Sequence, residues 1–97
     1  MIGPRGEYQI RYSQHAYVRM RAREIRAKEV REALRRGEII EDYPNDVPLP
    51  SCLILASVEG RPLHVVAAFD DDRAQAVIIT AYLPDPAEWS EDFRRRL

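Results

Sequence analysis

His15, Arg19 and Arg23 stand four residues apart in the pattern H-x-x-x-R-x-x-x-R. On a helix this spacing stacks side chains in one stripe, offset here from the apolar pair Ala16 and Met20. An imidazole beside two guanidiniums suits an anionic ligand. Arginine grips phosphate bidentately and keeps its charge, and histidine exchanges a proton near neutral pH. The plain alternative is a solvated arginine face, with His15 as a cap or surface residue at the helix start. The pattern alone leaves both open.

His64, Thr80 and Tyr82 form a second set, joined by hairpin arithmetic. Leu63, Val65, Ala67 and Phe69 share one face of a strand, and His64, Val66, Ala68 and Asp70 share the other. On the next strand the purely apolar face reads as Val77, Ile79, Ala81 and Leu83, with Ala76, Ile78, Thr80 and Tyr82 opposite. Pairing apolar face with apolar face sets odd residues against odd ones, because a one-residue slip flips a whole strand. A loop over 71–75 then places His64 opposite Tyr82 and Val66 opposite Thr80, on the face away from the main core. There His64 either moves protons while Tyr82 orients a phosphate, or is a half-buried sheet residue bonded to Thr80 or Tyr82.

The run Asp70-Asp71-Asp72 offers oxygen ligands for a hard cation, but Arg73 follows at once and a hairpin needs turn residues here. Turn chemistry is the expected use, with no metal. Arg94-Arg95-Arg96 would add phosphate contacts or fray as a charged terminus. The single Cys52 excludes an internal disulfide framework and a multi-cysteine zinc site. No glycine-rich phosphate loop occurs and no cofactor is expected.

The elements that position these residues can be read from spacing. Tyr8–Tyr12 alternates weakly and reads as a short leading strand or extended arm within residues 1–12. Ser13 is a plausible N-cap for a helix over 14–23, and Ile25 packs inward at the break that follows. Val30 and Leu34 form the apolar i, i+4 pair of a second helix over 27–36, with Gly37 as its C′ stop. Strands are expected at Glu38–Tyr43, Cys52–Val58, Leu63–Asp70 and Ala76–Leu83, with turns at Glu59-Gly60-Arg61 and at 71–75. Ala87–Arg95 reads as a short terminal helix or turn with Trp89 and Phe93 at i, i+4. The expected architecture is α+β: two N-terminal helices packed on a three- to four-stranded antiparallel sheet.

Composition limits the functional classes. The 97 residues, 45% apolar and 32% charged, describe one globular domain over 1–97. No apolar stretch exceeds about seven residues, too short to cross a bilayer. No apolar run follows Arg5, so a secretory signal is not expected and a reducing cytoplasm is the expected compartment. The net charge of −1 hides an asymmetry: residues 1–37 carry +6, residues 38–93 carry −10, and Arg94–Arg96 add +3. That split suggests a basic face for an anion such as nucleic acid, and an acidic face for an arginine-rich partner or a second copy.

The string H-A-Y-V-R-M-R-A-R-E-I, followed by K-E-V-R-E-A-L-R-R-G-E-I-I-E-D-Y-P, resembles the opening of the domain of unknown function 4258 family. G-R-P-L-H-V-V-A-A-F-D and I-I-T-A-Y-L-P-D-P-A-E-W resemble its second half, so the resemblance covers roughly residues 13–93. Two departures stand out. Arg26-Ala27-Lys28 replaces a Ser- or Thr-type cap, which implies an irregular second helix start, and the 44–50 loop is proline-rich.

The resemblance implies distant kinship with RelE-like and barnase-like endoribonucleases, and a toxin–antitoxin role with a small zinc-finger antitoxin. It carries His15, Arg19 and Arg23 onto the family's helix motif, His64 onto its L-H-V-V block, and Thr80 and Tyr82 onto its T-x-Y block. The activity so implied is metal-independent RNA cleavage, including mRNA on the ribosome, by attack of the ribose 2′-hydroxyl on the adjacent phosphate. Arg19 and Arg23 would offset phosphoryl charge, with Arg23 and Thr80 among the phosphate contacts. His15 or His64 would transfer protons, and Tyr82 would orient a phosphate or stack on a base. The alternative is a non-catalytic module that binds RNA or a partner protein, and a homodimer fits either reading. A small enzyme acting on a metabolite phosphate is a more distant one.

Overall fold

The computed structural model describes residues 3–97. Of the leading arm expected over 1–12, residues 1–2 lie outside the described residues. After a 3-10 turn at Gly3–Glu7 come β1 (Gln9–Tyr12), α1 (Gln14–Ala22), α2 (Ala27–Arg36), β2 (Glu38–Tyr43), β3 (Ser51–Val58), β4 (Arg61–Asp70) and β5 (Gln75–Tyr82). Both helices and the four long strands thus lie where periodicity places them.

Ser13 caps α1: its Oγ accepts from the Ala16 N–H at 3.0 Å. The same residue ties the helix to the sheet, its N–H donating to Ile78 O at 3.0 Å and its hydroxyl to Ile79 O at 3.2 Å. α1 ends in a reciprocal pair of bonds, Ile25 N–H to Met20 O and Glu24 N–H to Arg21 O, with Glu24 at φ 56°. Met20 and Ile25 are both buried, the hydrophobic contact that accompanies this ending. The start of α2 is regular rather than irregular. Arg26 has no side-chain acceptor, but the Glu29 carboxylate accepts from its backbone N–H at 2.9 Å, half of a capping box.

Gly37 ends α2 in a way the sequence did not indicate. Its φ is −75°, so no left-handed conformation is required. A Cβ there would instead overlap the Ala33 carbonyl oxygen and Ile54 Cγ2, and would sit 3.1 Å from Leu55 O. The glycine lets the end of α2 pack directly against β3 as the chain enters β2. Gly37→Ala is therefore expected to cost about 1–3 kcal/mol as overpacking, read as a lower urea midpoint at unchanged slope.

The sheet differs from expectation in strand number and direction. It has five strands in the order β1-β5-β4-β3-β2, and β1 pairs parallel with β5, Gln9 to Gln75 through Tyr12 to Ile78. The remaining pairs are antiparallel. Glu59 and Gly60, both at positive φ, close the β3–β4 hairpin as a two-residue loop of the primed type.

The register of β4 with β5 is as expected at one end only. His64 faces Tyr82 and Val66 faces Thr80, but the loop holds four residues, 71–74, and Asp70 pairs with Gln75. A bulge at Ile79 absorbs the difference. It corrects the apolar face assigned to β5: Ala76, Ile78 and Ala81 enter the core, while Ile79 and Leu83 are 37% and 40% exposed.

α1 packs on β5, and α2 on β3 and β4. The core between helices and sheet joins Ala16, Met20, Val30 and Leu34 to Ile54, Val65, Ala67 and Ile78. The opposite sheet face is also covered. Residues 84–97 form no helix; they fold back as a loop in which Trp89 bridges Arg96, Ser90 N–H donates to Arg95 O at 2.7 Å, and Phe93 sits at φ 62°. Leu53, His64 and Trp89 are thereby almost fully buried, at 0%, 0% and 4% exposure. No helix among the described residues is long and apolar enough to cross a membrane.

Candidate nucleic-acid interface

β1 covers only the first half of β5, ending where Tyr12 meets Ile78. α1 then continues along the uncovered half, from the Ser13 bonds at Ile78 and Ile79 to Arg23, whose Nη1 donates to Ala81 O at 3.0 Å. Ala16 and Met20 point into the core, so His15, Arg19 and Arg23 form the exposed flank beside the β5 edge. Tyr17 and Arg21 occupy the other flank. Thr80 and Tyr82 lie on the adjoining sheet face, both half-buried. Ile10 and Tyr12 pack toward the core, so strand alternation sends exposed Arg11 to that same side. Alternation of Tyr8, Ile10 and Tyr12 carried the signal for Arg11, which the spacing of the helix motif could not supply.

The arginines divide into two populations. Arg5 is held by Asp71, Arg26 and Lys28 by Glu59, Arg36 by Glu32, Arg61 by Glu29, Arg73 by Asp70, Arg94 by Glu38, and Arg96 by Glu41. Among the described residues, Arg11, Arg19, Arg21, Arg23, Arg31, Arg35 and Arg95 form no such pair; all seven are exposed. Apart from Arg95 in the C-terminal segment, the cations without a carboxylate thus belong to β1, α1 and one side of α2. Arg94 and Arg96, two of the three tail arginines left open between phosphate contacts and fraying, are paired with Glu38 and Glu41 on the acidic edge of β2. Asp70 and Asp71 are likewise engaged by Arg73 and by Arg5 and Tyr8.

His64 lies elsewhere. Its Nε2 is 2.9 Å from Phe93 O and its Nδ1 is 3.2 Å from the Tyr82 hydroxyl. A carbonyl only accepts, so Nε2 carries the proton in the neutral ring, and Nδ1 accepts from Tyr82. The Trp89 ring meets the imidazole edge-on with centroids 4.4 Å apart. Burial lowers the His64 pKa and raises that of Tyr82, which keeps both neutral and opposes proton transfer from phenol to imidazole.

The structure therefore brings His64 and Tyr82 together, and groups His15, Arg19 and Arg23, but it does not join the two sets through a shared imidazole. His64 is sealed beneath residues 84–97, while His15 is exposed. Cys52 is buried as well, its thiol pushed up to about 11 chiefly by desolvation, which keeps it protonated and unreactive.

The family described as Domain of unknown function (DUF4258) matches residues 12–83, from the end of β1 through β5. The match stops where the covering segment begins. No curated protein matches the chain, and no solved structure does.

Proposed function

We propose, from the premise that the chain belongs to the DUF4258 family, that the edge formed by Arg11, His15, Arg19 and Arg23 binds the phosphate backbone of RNA. One observation carries this reading: guanidiniums are left without carboxylates on this edge, while most of those elsewhere are neutralised. Thr80 adds a hydroxyl beside the row. Unpaired arginine pays no cost of breaking an ion pair when it takes a phosphate, and it releases counterions.

A second reading, metal-independent endoribonuclease, is favoured by the position of His15. It is an exposed imidazole in line with Arg19. His15 would take the proton of a ribose 2′-hydroxyl as that oxygen attacks the adjacent phosphorus. The bond to the 5′-oxygen breaks, the 5′-oxygen takes a proton from water, and a 2′,3′-cyclic phosphate remains. Arg19 and Arg23 would offset the charge gathering on the phosphoryl oxygens. Tyr82 contributes through its ring or oxygen lone pairs, since its proton is held by His64. The wider expectations belong with this reading: RelE-like kinship, a toxin in the cytoplasm acting on mRNA, and a zinc-finger antitoxin or second copy as partner.

The test uses labelled single-stranded RNA followed by fluorescence anisotropy between 50 and 200 mM salt. Arg19→Ala and Arg23→Ala are each expected to reduce the logarithmic salt slope by about 0.7, the value for one phosphate contact on a single strand. Arg73→Ala, already paired with Asp70, is expected to change nothing. Equal slopes for all three variants would overturn the reading. Cleavage that persists with chelator and vanishes in His15→Ala would support the second reading; binding without cleavage by any form would leave a binding module.

A further inference from the structure

α1 has a second flank, and it borders a groove. Tyr12, Tyr17, Met20, Arg21, Ile25 and Ala27 enclose a mostly apolar space of about 290 Å³ between the start of α2 and the end of β1. That is close to the lower bound of small-molecule sites, about 300 Å³. Tyr17 is 55% exposed. The Arg21 guanidinium lies 5.7 Å from the centre of its ring and donates to its hydroxyl at 3.3 Å. Among the described residues no carboxylate pairs with Arg21. The Tyr12 hydroxyl is shielded from solvent and has no hydrogen-bond partner, and burial raises its pKa, so the proton stays on the oxygen as a donor.

We infer that this groove takes an unpaired nucleobase, which makes single-stranded RNA the substrate of the interface proposed above. The inference rests on that reading and adds a base site to it. Three features select a base over an apolar side chain from a protein. The groove lies across one helix from the arginine row, so a base carried on a backbone held there reaches it, whereas a protein side chain brings no phosphate for that row. The exposed Tyr17 ring offers a face on which a planar base stacks, with the Arg21 guanidinium beside it, as aromatic and arginine groups do in single-strand recognition. The free charge of Arg21 suits the phosphate attached to that base.

The geometry of α1 links this site to the arginine row. Exposed Val18 and Ala22 separate the two flanks, so a strand crossing the helix keeps its backbone on Arg19 and Arg23 and turns one base into the groove. A duplex has no such base to give.

The test is titration of the 15N-labelled full chain with uridine 5′-monophosphate and guanosine 5′-monophosphate, with ribose 5-phosphate as the comparison. Saturable shifts at Tyr17, Met20 and Ile25 with the nucleotides, absent with ribose 5-phosphate, are expected. Tyr17→Ala and Arg21→Ala are each expected to weaken nucleotide binding about fivefold or more. Shifts of equal size with ribose 5-phosphate, or none in the groove with any probe, would overturn the inference. So would an unmoved groove that instead binds an apolar dye, which would mark it as a protein-docking surface. RNA that binds through the arginine row while the groove stays unmoved sinks only this inference. Groove shifts with nucleotides, together with salt slopes insensitive to Arg19 and Arg23, sink only the backbone reading.

Discussion

Replacing Arg61 by Met is expected to destabilise the fold by about 3 kcal/mol at pH 7, measured by urea denaturation. Glu29 is 1% exposed, and Arg61 Nη2 donates to both of its carboxylate oxygens at 3.0 Å. Removing the guanidinium strands a carboxylate between α2 and the β3–β4 hairpin, and an orphaned buried charge costs about 3–5 kcal/mol. The lower end applies because Arg61 is about a third exposed, and because Arg26 keeps its backbone bond to Glu29 and its Nε at 3.7 Å. Met retains much of the aliphatic stem but loses the bond from Nη2 to Glu24 O at 3.2 Å.

The sign of the pH dependence separates this cause from lost packing. Desolvation pushes the Glu29 pKa up, but the Arg26 N–H and the Arg61 bonds outweigh it and hold the carboxyl below its ordinary value. A depressed carboxyl gives stability that is fully present above the unfolded pKa and is lost as pH falls through the folded one. In the Arg61→Met chain desolvation dominates, Glu29 takes a proton more readily, and the deficit relative to wild type should shrink toward pH 4. A deficit constant from pH 7 to pH 4 would assign the loss to packing. The double variant Glu29→Met/Arg61→Met should recover most of the stability, because an apolar pair replaces a buried ion pair at little cost.

Trp89→Ala is expected to release residues 84–97 from the sheet at a cost of about 3–5 kcal/mol, the range for an aromatic deleted from a core. Trp89 is 4% exposed; it lies against His64 and beneath the Arg96 guanidinium, 4.6 Å from its ring. The ion pairs Arg94–Glu38 and Arg96–Glu41 are too solvated to hold the segment alone. Amide exchange should quicken at Phe93 and Arg95, whose N–H groups bond within the loop. The His64 ring resonances should then titrate closer to 6.5, since burial is the chief cause of the depressed value.

In the wild type, a depressed histidine gives stability that is full above about 6.5 and is lost as pH falls through the folded pKa. Acid should therefore loosen the C-terminal segment before the helical core, with Trp89 emission shifting red ahead of the loss of helix. Simultaneous transitions would show that the covering segment and the core form one cooperative unit.

Much of this protein is written in local pattern. Ser13, Val30 with Leu34, and the apolar runs of β3 and β4 place both helices and four strands, because caps and periodicity act over a few residues. Parity together with a five-residue loop set His64 opposite Tyr82 and put Thr80 on the same sheet face, a pairing the structure reaches with a shorter loop and a bulge. The stripe of His15, Arg19 and Arg23 was likewise legible, since a helix once formed fixes which side chains align.

Tertiary structure decided the rest, because the deciding interactions join residues far apart in the chain. The parallel docking of β1 on β5 has no signature within Gln9–Tyr12 itself. The bulge at Ile79 reconciles a four-residue loop with a register set at the far end of the hairpin, and neither end shows it alone. Whether an arginine is free depends on a carboxylate brought from elsewhere: Arg94 and Arg96 meet β2, while Arg19 and Arg23 meet none. In sequence, His64 was open between a proton carrier and a half-buried sheet residue; Trp89 and Phe93 close over it, since burial is set by all the elements that pack around a residue and not by its neighbours in sequence.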